Sequence, residues 1–203
     1  MGLLMSEKIQ AFKGKGLRRL LSRIWKFFGI AVVITAWVVA SSALSARAQS
    51  SSDREYLIKA AFLYNFLRFV EWPAEALPES DGTIVVCLVG EDPFGEALES
   101  IKGKTVKSKD LVIRRILTLQ NLGGCQLLFV SSSEKNRLPE IIGALKGRAV
   151  LTVGELEGFT QLGGIIRFLI ERNNVRFEIN VDVAERTGLK ISSKLLNLAK
   201  VVK

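Results

Sequence analysis

An uncharged apolar run, FFGIAVVITAWVVA from Phe27 to Ala40, stands behind a basic stretch and ahead of the small polar segment SSALSARAQSSSD. It decides which part of the chain can fold as a globule. A basic n-region, an apolar h-region of ~7–15 residues and an A-x-A site are the three parts of a secretory signal. Ala46-Arg47-Ala48 supplies the last part and places cleavage between Ala48 and Gln49. The alternative is an uncleaved membrane anchor, which needs ~20 apolar residues. Stretching the run from Ile24 to Leu44 nearly reaches that length but takes in Lys26 and several serines. Either way the basic flank stays in the cytoplasm and the rest of the chain ends outside it. The expected organisation is a signal peptide over 1–48, alternatively a membrane anchor, and one α/β domain over 49–203 in the periplasm.

The charge divides at the same place. The chain carries 29 basic and 20 acidic residues, a net +9. Eight of the bases and one acid precede Gln49, which leaves 21 and 19 in the domain. A near-neutral domain lacks the basic surface that a nucleic-acid partner requires, so no nucleic acid is expected.

In the domain, Asp53 is a candidate helix N-cap, followed by REYLIKAAFLYNFLRFVEW up to the breaker Pro73. Tyr56, Ala60, Leu63, Leu67 and Val70 share one stripe of that helix, and Phe62, Phe66 and Phe69 form a second ridge. So wide an apolar surface exceeds what a one-sided helix needs. Either the helix is buried on two sides, or the Phe ridge is offered to a partner. Thr83–Val89, Leu111–Leu117, Gln126–Val130 and Ala149–Val153 read as strands covered on both faces. Between them, Pro93–Lys102, Glu134–Lys146 and Leu156–Leu162 read as helical. This alternation predicts a three-layer α/β domain with a mixed, mostly parallel sheet and helices on both faces.

Ile165–Arg172 and Val175–Asn180 flank Asn173-Asn174, a pair suited to a two-residue turn. That register sets Ile170 opposite Phe177, Phe168 opposite Ile179 and Glu171 opposite Arg176. Helical segments are expected at Val181–Thr187 and Ser193–Val201, with Gly188 ending the first.

The chain has no histidine, which removes the commonest general base and imidazole metal ligand. It has no G-x-S-x-G, and its acids do not repeat at calcium-loop spacing. No catalytic residue, metal site or cofactor is expected. The two cysteines, Cys87 and Cys125, lie in or beside strands. In an oxidising compartment they are either bonded or two buried apolar thiols. Gly90, Asp92, Phe94, Ser131 and Ser132 follow predicted strands, where open α/β sheets bind small ligands.

The blocks KAAFLYNFLRFVEWP, VCLVGEDPFG, CQLLFVSS, VLTVGELEGFTQLGGII, VRFEIN and GLKISSKLLNLAKVV, in this order, resemble the YfiR family of periplasmic proteins. The resemblance implies a non-catalytic regulator. In the family's best-known system, such a protein binds the periplasmic sensor part of an inner-membrane diguanylate cyclase. It holds the cyclase inactive and lowers cyclic di-GMP, and with it biofilm formation. An outer-membrane lipoprotein relieves the inhibition by sequestering the regulator, which can also form a homodimer. Cys87 and Cys125 match one of that protein's two cysteine pairs; the second pair is absent. The alternative function is a periplasmic small-molecule-binding sensor that feeds a membrane sensor kinase or transporter.

Overall fold

The structure, a computed structural model, describes residues 52–77, 80 and 82–202. The leader, with Ala48 and Gln49, lies outside them. Helix α1 spans 52–69 and is followed by strands β1 (Val70–Glu71), β2 (Thr83–Val89), β3 (Thr105–Val106), β4 (Lys109–Ile116) and β5 (Leu127–Val130). Then come α2 (Leu138–Ala144), β6 (Leu151–Gly154), β7 (Ile166–Glu171), β8 (Asn174–Asn180) and α3 (Val181–Arg186). The chain closes with β9 (Lys190–Ile191), α4 (Ser193–Leu196) and β10 (Lys200–Val202).

Eight strands form one sheet in the order β10-β8-β7-β6-β5-β2-β4-β3, and β1 pairs with β9 in a separate sheet. The run from β4 through β2, β5 and β6 to β7 is parallel. The β7–β8 and β3–β4 pairs are antiparallel. The expected class, a mixed and mostly parallel sheet covered on both faces, is the one observed.

TIVVCLV and LLFV have apolar residues at every position after the first, and a strand of that kind needs cover on both sides. On one face α1 contributes Ala60, Leu63, Phe66 and Leu67 against Val86, Leu88, Phe129 and Phe168. On the other, α2 contributes Leu138 and Ile141 against Cys87, Leu128 and Val130. Phe159 fills this second layer through two glycines: a Cβ on Gly154 would lie 2.7 Å from its ring, and one on Gly164 would lie 2.2 Å away. The spacing G-x4-F-x4-G is therefore a packing requirement.

Several expected elements are corrected. The Phe ridge turns inward: Phe66 is fully buried, stacked on Phe168 and edge-on to Phe177. Phe62 packs against the same two rings and stays half-buried, as does Phe69. Phe66 thus presents nothing to a partner, because the hairpin strands supply the aromatic surface it covers. Asp53 already lies inside α1.

The hairpin turns one residue earlier than expected, on Arg172 and Asn173, both at positive φ. The resulting register pairs Phe168 with Phe177, Ile166 with Ile179 and Arg167 with Glu178. It brings together two aromatic rings and two opposite charges, which outweighs Arg172's lower tolerance of the left-handed region. The helix expected over Ser193–Val201 stops after one turn at Leu196, and Lys200–Val202 joins β8 as a parallel edge strand. β-branched Val201 and Val202 favour that extended form. Pro93–Lys102 supplies only a 3-10 turn, Gly95–Ser100, and 156–162 is turn without a helix.

Cys87 and Cys125 form a disulfide across 38 residues, with both cysteines buried in the α2-side layer. It ties the middle of β2 to the residue pair preceding β5. Closing a loop of that size stabilises a fold by about 3–4 kcal/mol in the chain-entropy model. Urea unfolding of the reduced protein is accordingly expected to show a loss of about that size, with the slope changed because the reduced unfolded chain is more open. An unchanged midpoint would contradict it.

Candidate functional site

The chain passes from β2 to β4 on one side and then returns to β5 on the other, so the carboxyl ends of β2 and β5 meet where the strand order reverses. In open α/β sheets this is where crevices form. The structure brings Gly90, Asp92, Phe94, Ser131 and Ser132 to this edge. Their polar groups are largely spent on each other.

Gly90 has φ +90, and a Cβ there would sit 2.5 Å from Ser133 Oγ, so the two loops interlock. The neighbouring Glu91 N–H donates to Ser133 Oγ at 2.9 Å. Asp92 Oδ1 accepts from the N–H groups of Phe94 and Gly95 at 2.8 and 3.2 Å. Its Oδ2 takes the Arg115 guanidinium at 2.7 Å. Buried Ser131 accepts from Ser133 N–H at 3.4 Å and caps the following turn. Phe94 is buried, edge-on to Tyr56 and Phe129 at 5.2 and 4.8 Å. Beside it, Tyr56, Leu57, Asp92 and Glu96 help to line an open cleft of about 550 Å³.

The centre of the edge is a cluster that sequence reasoning missed. Lys59 on α1 is buried, and its ammonium is paired with Glu155, the residue after β6, and with Glu55 one turn back at 2.5 Å. It lies 4.4 Å from the centroid of the Tyr56 ring. The Tyr56 hydroxyl donates to Glu155 Oε1 at 3.1 Å, and Ser132 Oγ donates to the same oxygen at 3.4 Å. Three segments, α1 and the ends of β5 and β6, are joined here through side chains. Burial, and after it the Glu155 carboxylate, pushes the Tyr56 phenol well above its ordinary 10.0. The available signals were a lone lysine inside an apolar helix and an acid directly after an apolar strand.

A second buried network lies on the opposite sheet face. Glu178 accepts from Thr160 Oγ1 at 2.7 Å and from Arg167 Nη1 at 3.4 Å, while Asn180 donates to the Thr160 carbonyl at 3.1 Å and caps α3. Among the described residues no group of three or more His, Cys, Asp or Glu side chains is placed to hold a metal ion. No helix among them is long and apolar enough to cross a membrane.

Residues 56–200 match the family described as YfiR/HmsC-like. Among solved structures, a conserved domain protein from Vibrio cholerae O1 biovar El Tor str. N16961 is similar, with 13% identity and a TM-score of 0.43. That match covers 64% of this chain and 57% of the other.

Breaking a buried ion pair from one side costs about 3–5 kcal/mol because the partner charge is left behind. Lys59→Met is expected to lose stability on that scale in urea unfolding. Adding Glu155→Leu should then cost less than the two single changes summed, by roughly 1–3 kcal/mol; strict additivity would show that the pair is not coupled.

Tyr56 gives a pH dependence of determined sign. Its folded pKa is raised, so its contribution is complete below the ordinary value of 10.0 and is lost as pH rises through the folded value. Stability should fall as pH climbs above ~10, and less so in Tyr56→Phe. Parallel pH profiles for the two proteins would contradict this.

Proposed function

We propose, because the chain belongs to the YfiR/HmsC-like family, that it is a periplasmic, non-catalytic regulator that binds and inhibits a membrane-bound signalling protein. The partner we infer is a diguanylate cyclase, whose restraint lowers cyclic di-GMP. The match over residues 56–200 carries this reading, since it takes in most of α1, strands β1 to β9 and the hairpin. The basic, apolar leader supports the compartment: residues 1–48 act as a signal peptide, and the domain begins at Gln49. The carboxyl edge of the sheet supports action by contact, since Asp92, Lys59 and Glu155 are held by other side chains. An outer-membrane lipoprotein that sequesters the domain, and a homodimer, belong to the same proposal.

Deleting the gene should raise cyclic di-GMP and biofilm formation, and restoring it should reverse both. Complementation with a form lacking residues 1–48 should fail, since that product stays in the cytosol. Unchanged cyclic di-GMP in the deletion strain, with no membrane sensor recovered by crosslinking, would overturn the proposal.

A further inference from the structure

The opposite, amino-terminal edge of the sheet holds a cavity whose chemistry differs from everything at the carboxyl edge. It lies where the chain leaves α2, where it enters β7, and beside α3, with a volume of about 350 Å³. Leu145, Val150 and Ile165 form a buried apolar floor, and Ile142 is part of the wall. Leu162 stands at the rim with 53% of its surface exposed. Water therefore meets a concave apolar wall, which a globule of this kind gains by covering.

Three cations line the same cavity: Lys146, Arg148 and Arg186. Among the described residues no carboxylate lines it; Glu75 borders the adjoining depression. Elsewhere in the domain bases and acids are nearly balanced, and Lys59, Lys102, Arg115, Arg137 and Arg167 each have a carboxylate within reach. Among the described residues, Lys146, Arg148 and Arg186 have no ion pair and no side-chain hydrogen bond. Isolated surface cations are ordinary. Three unpaired cations lining one apolar hollow form a complement to a specific ligand chemistry, a negative head on an apolar body.

We propose that this cavity is a binding site for a small amphipathic carboxylate, with its head held by Lys146, Arg148 and Arg186 and its hydrocarbon part laid over Ile142 and Leu162. The volume falls at the lower end of small-molecule sites, which run to ~300–1,000 Å³, and so admits a compact ligand. The site does not depend on the regulatory reading, because it lies away from the Lys59–Glu155 cluster and needs no partner protein.

Octanoate is the probe, and octylamine, with the same chain and the opposite charge, is its control. Calorimetric titration of the protein as recovered from cells should show saturable octanoate binding with a Kd of roughly a millimolar or below. Octylamine should bind at least about tenfold more weakly, and the difference should shrink as salt is added. Lys146→Glu combined with Arg186→Glu should lose octanoate affinity about tenfold or more while the circular dichroism spectrum is kept. Leu162→Asp, at a side chain already half in water, should lose it from the apolar side and decides the matter if the double reversal unfolds. Equal binding of the two probes, octanoate affinity untouched by these variants, or no saturable octanoate uptake below ~10 mM would each overturn the proposal.

Discussion

Everything else in the domain follows from strands that cannot tolerate water on either face. β2, β5 and β6 have buried side chains at nearly every position, so the sheet is stable only between two layers. Burying a Leu, Ile, Val or Phe side chain is worth about 1.5–3 kcal/mol relative to leaving it exposed. The cover is unequal in kind. On the α1 side it is long and aromatic, with Phe62, Phe66, Phe168 and Phe177 in mutual contact. On the α2 side it is a short helix, one disulfide and Phe159 threaded past two glycines. The shorter helix buries less, and the covalent bond lies on the side that needs it.

The Lys59 ion pair is a consequence of that same layer. α1 crosses the sheet with an apolar surface too broad to leave room for a charge, yet Lys59 lies within it. Desolvating an ammonium costs several kcal/mol, and one partner seldom offsets it. Here two carboxylates share the ammonium, and the Tyr56 ring lies 4.4 Å from it. Apolar contacts alone would let α1 slide along the sheet by a turn with little penalty. A buried charge with partners in one position does not, so the pair sets where α1 sits relative to the ends of β5 and β6.

Much of the fold was legible because its signals are local. Thr83–Val89 was read to the residue, and the other central strands to within about two positions, since an apolar run between turn residues carries its own boundaries. The disulfide could be left as one of two alternatives and no further, because spacing does not report distance. Elements that depend on distant partners were misread. Val201 continues a helical pattern, and the free edge of β8 tips it, with Val202, into a strand. The hairpin slipped because either register keeps the same faces in and out, and the choice rests on which rings and charges meet. Lys59 and Glu155 are 96 residues apart. Nothing in the surroundings of either one names the other.

The two ends of the sheet have come to opposite electrostatic solutions, and the difference bears on what each can do. At the carboxyl edge the segments after β2, β5 and β6 carry acids and hydroxyls that satisfy neighbouring amides and cations, so the loops brace one another. A surface of that kind is rigid and can be recognised by shape. At the amino edge Lys146, Arg148 and Arg186 have no partners among the described residues and stand around an apolar hollow. Their mutual repulsion is tolerable in water, because charges a few ångströms apart interact by only about 1 kcal/mol at high dielectric. It grows as the hollow is covered by something neutral and reverses when the cover brings a negative charge. The fold thus offers a preorganised face at one end and an unsatisfied one at the other. The central strands lie between them, and being packed on both faces they hold the two ends in a fixed relation.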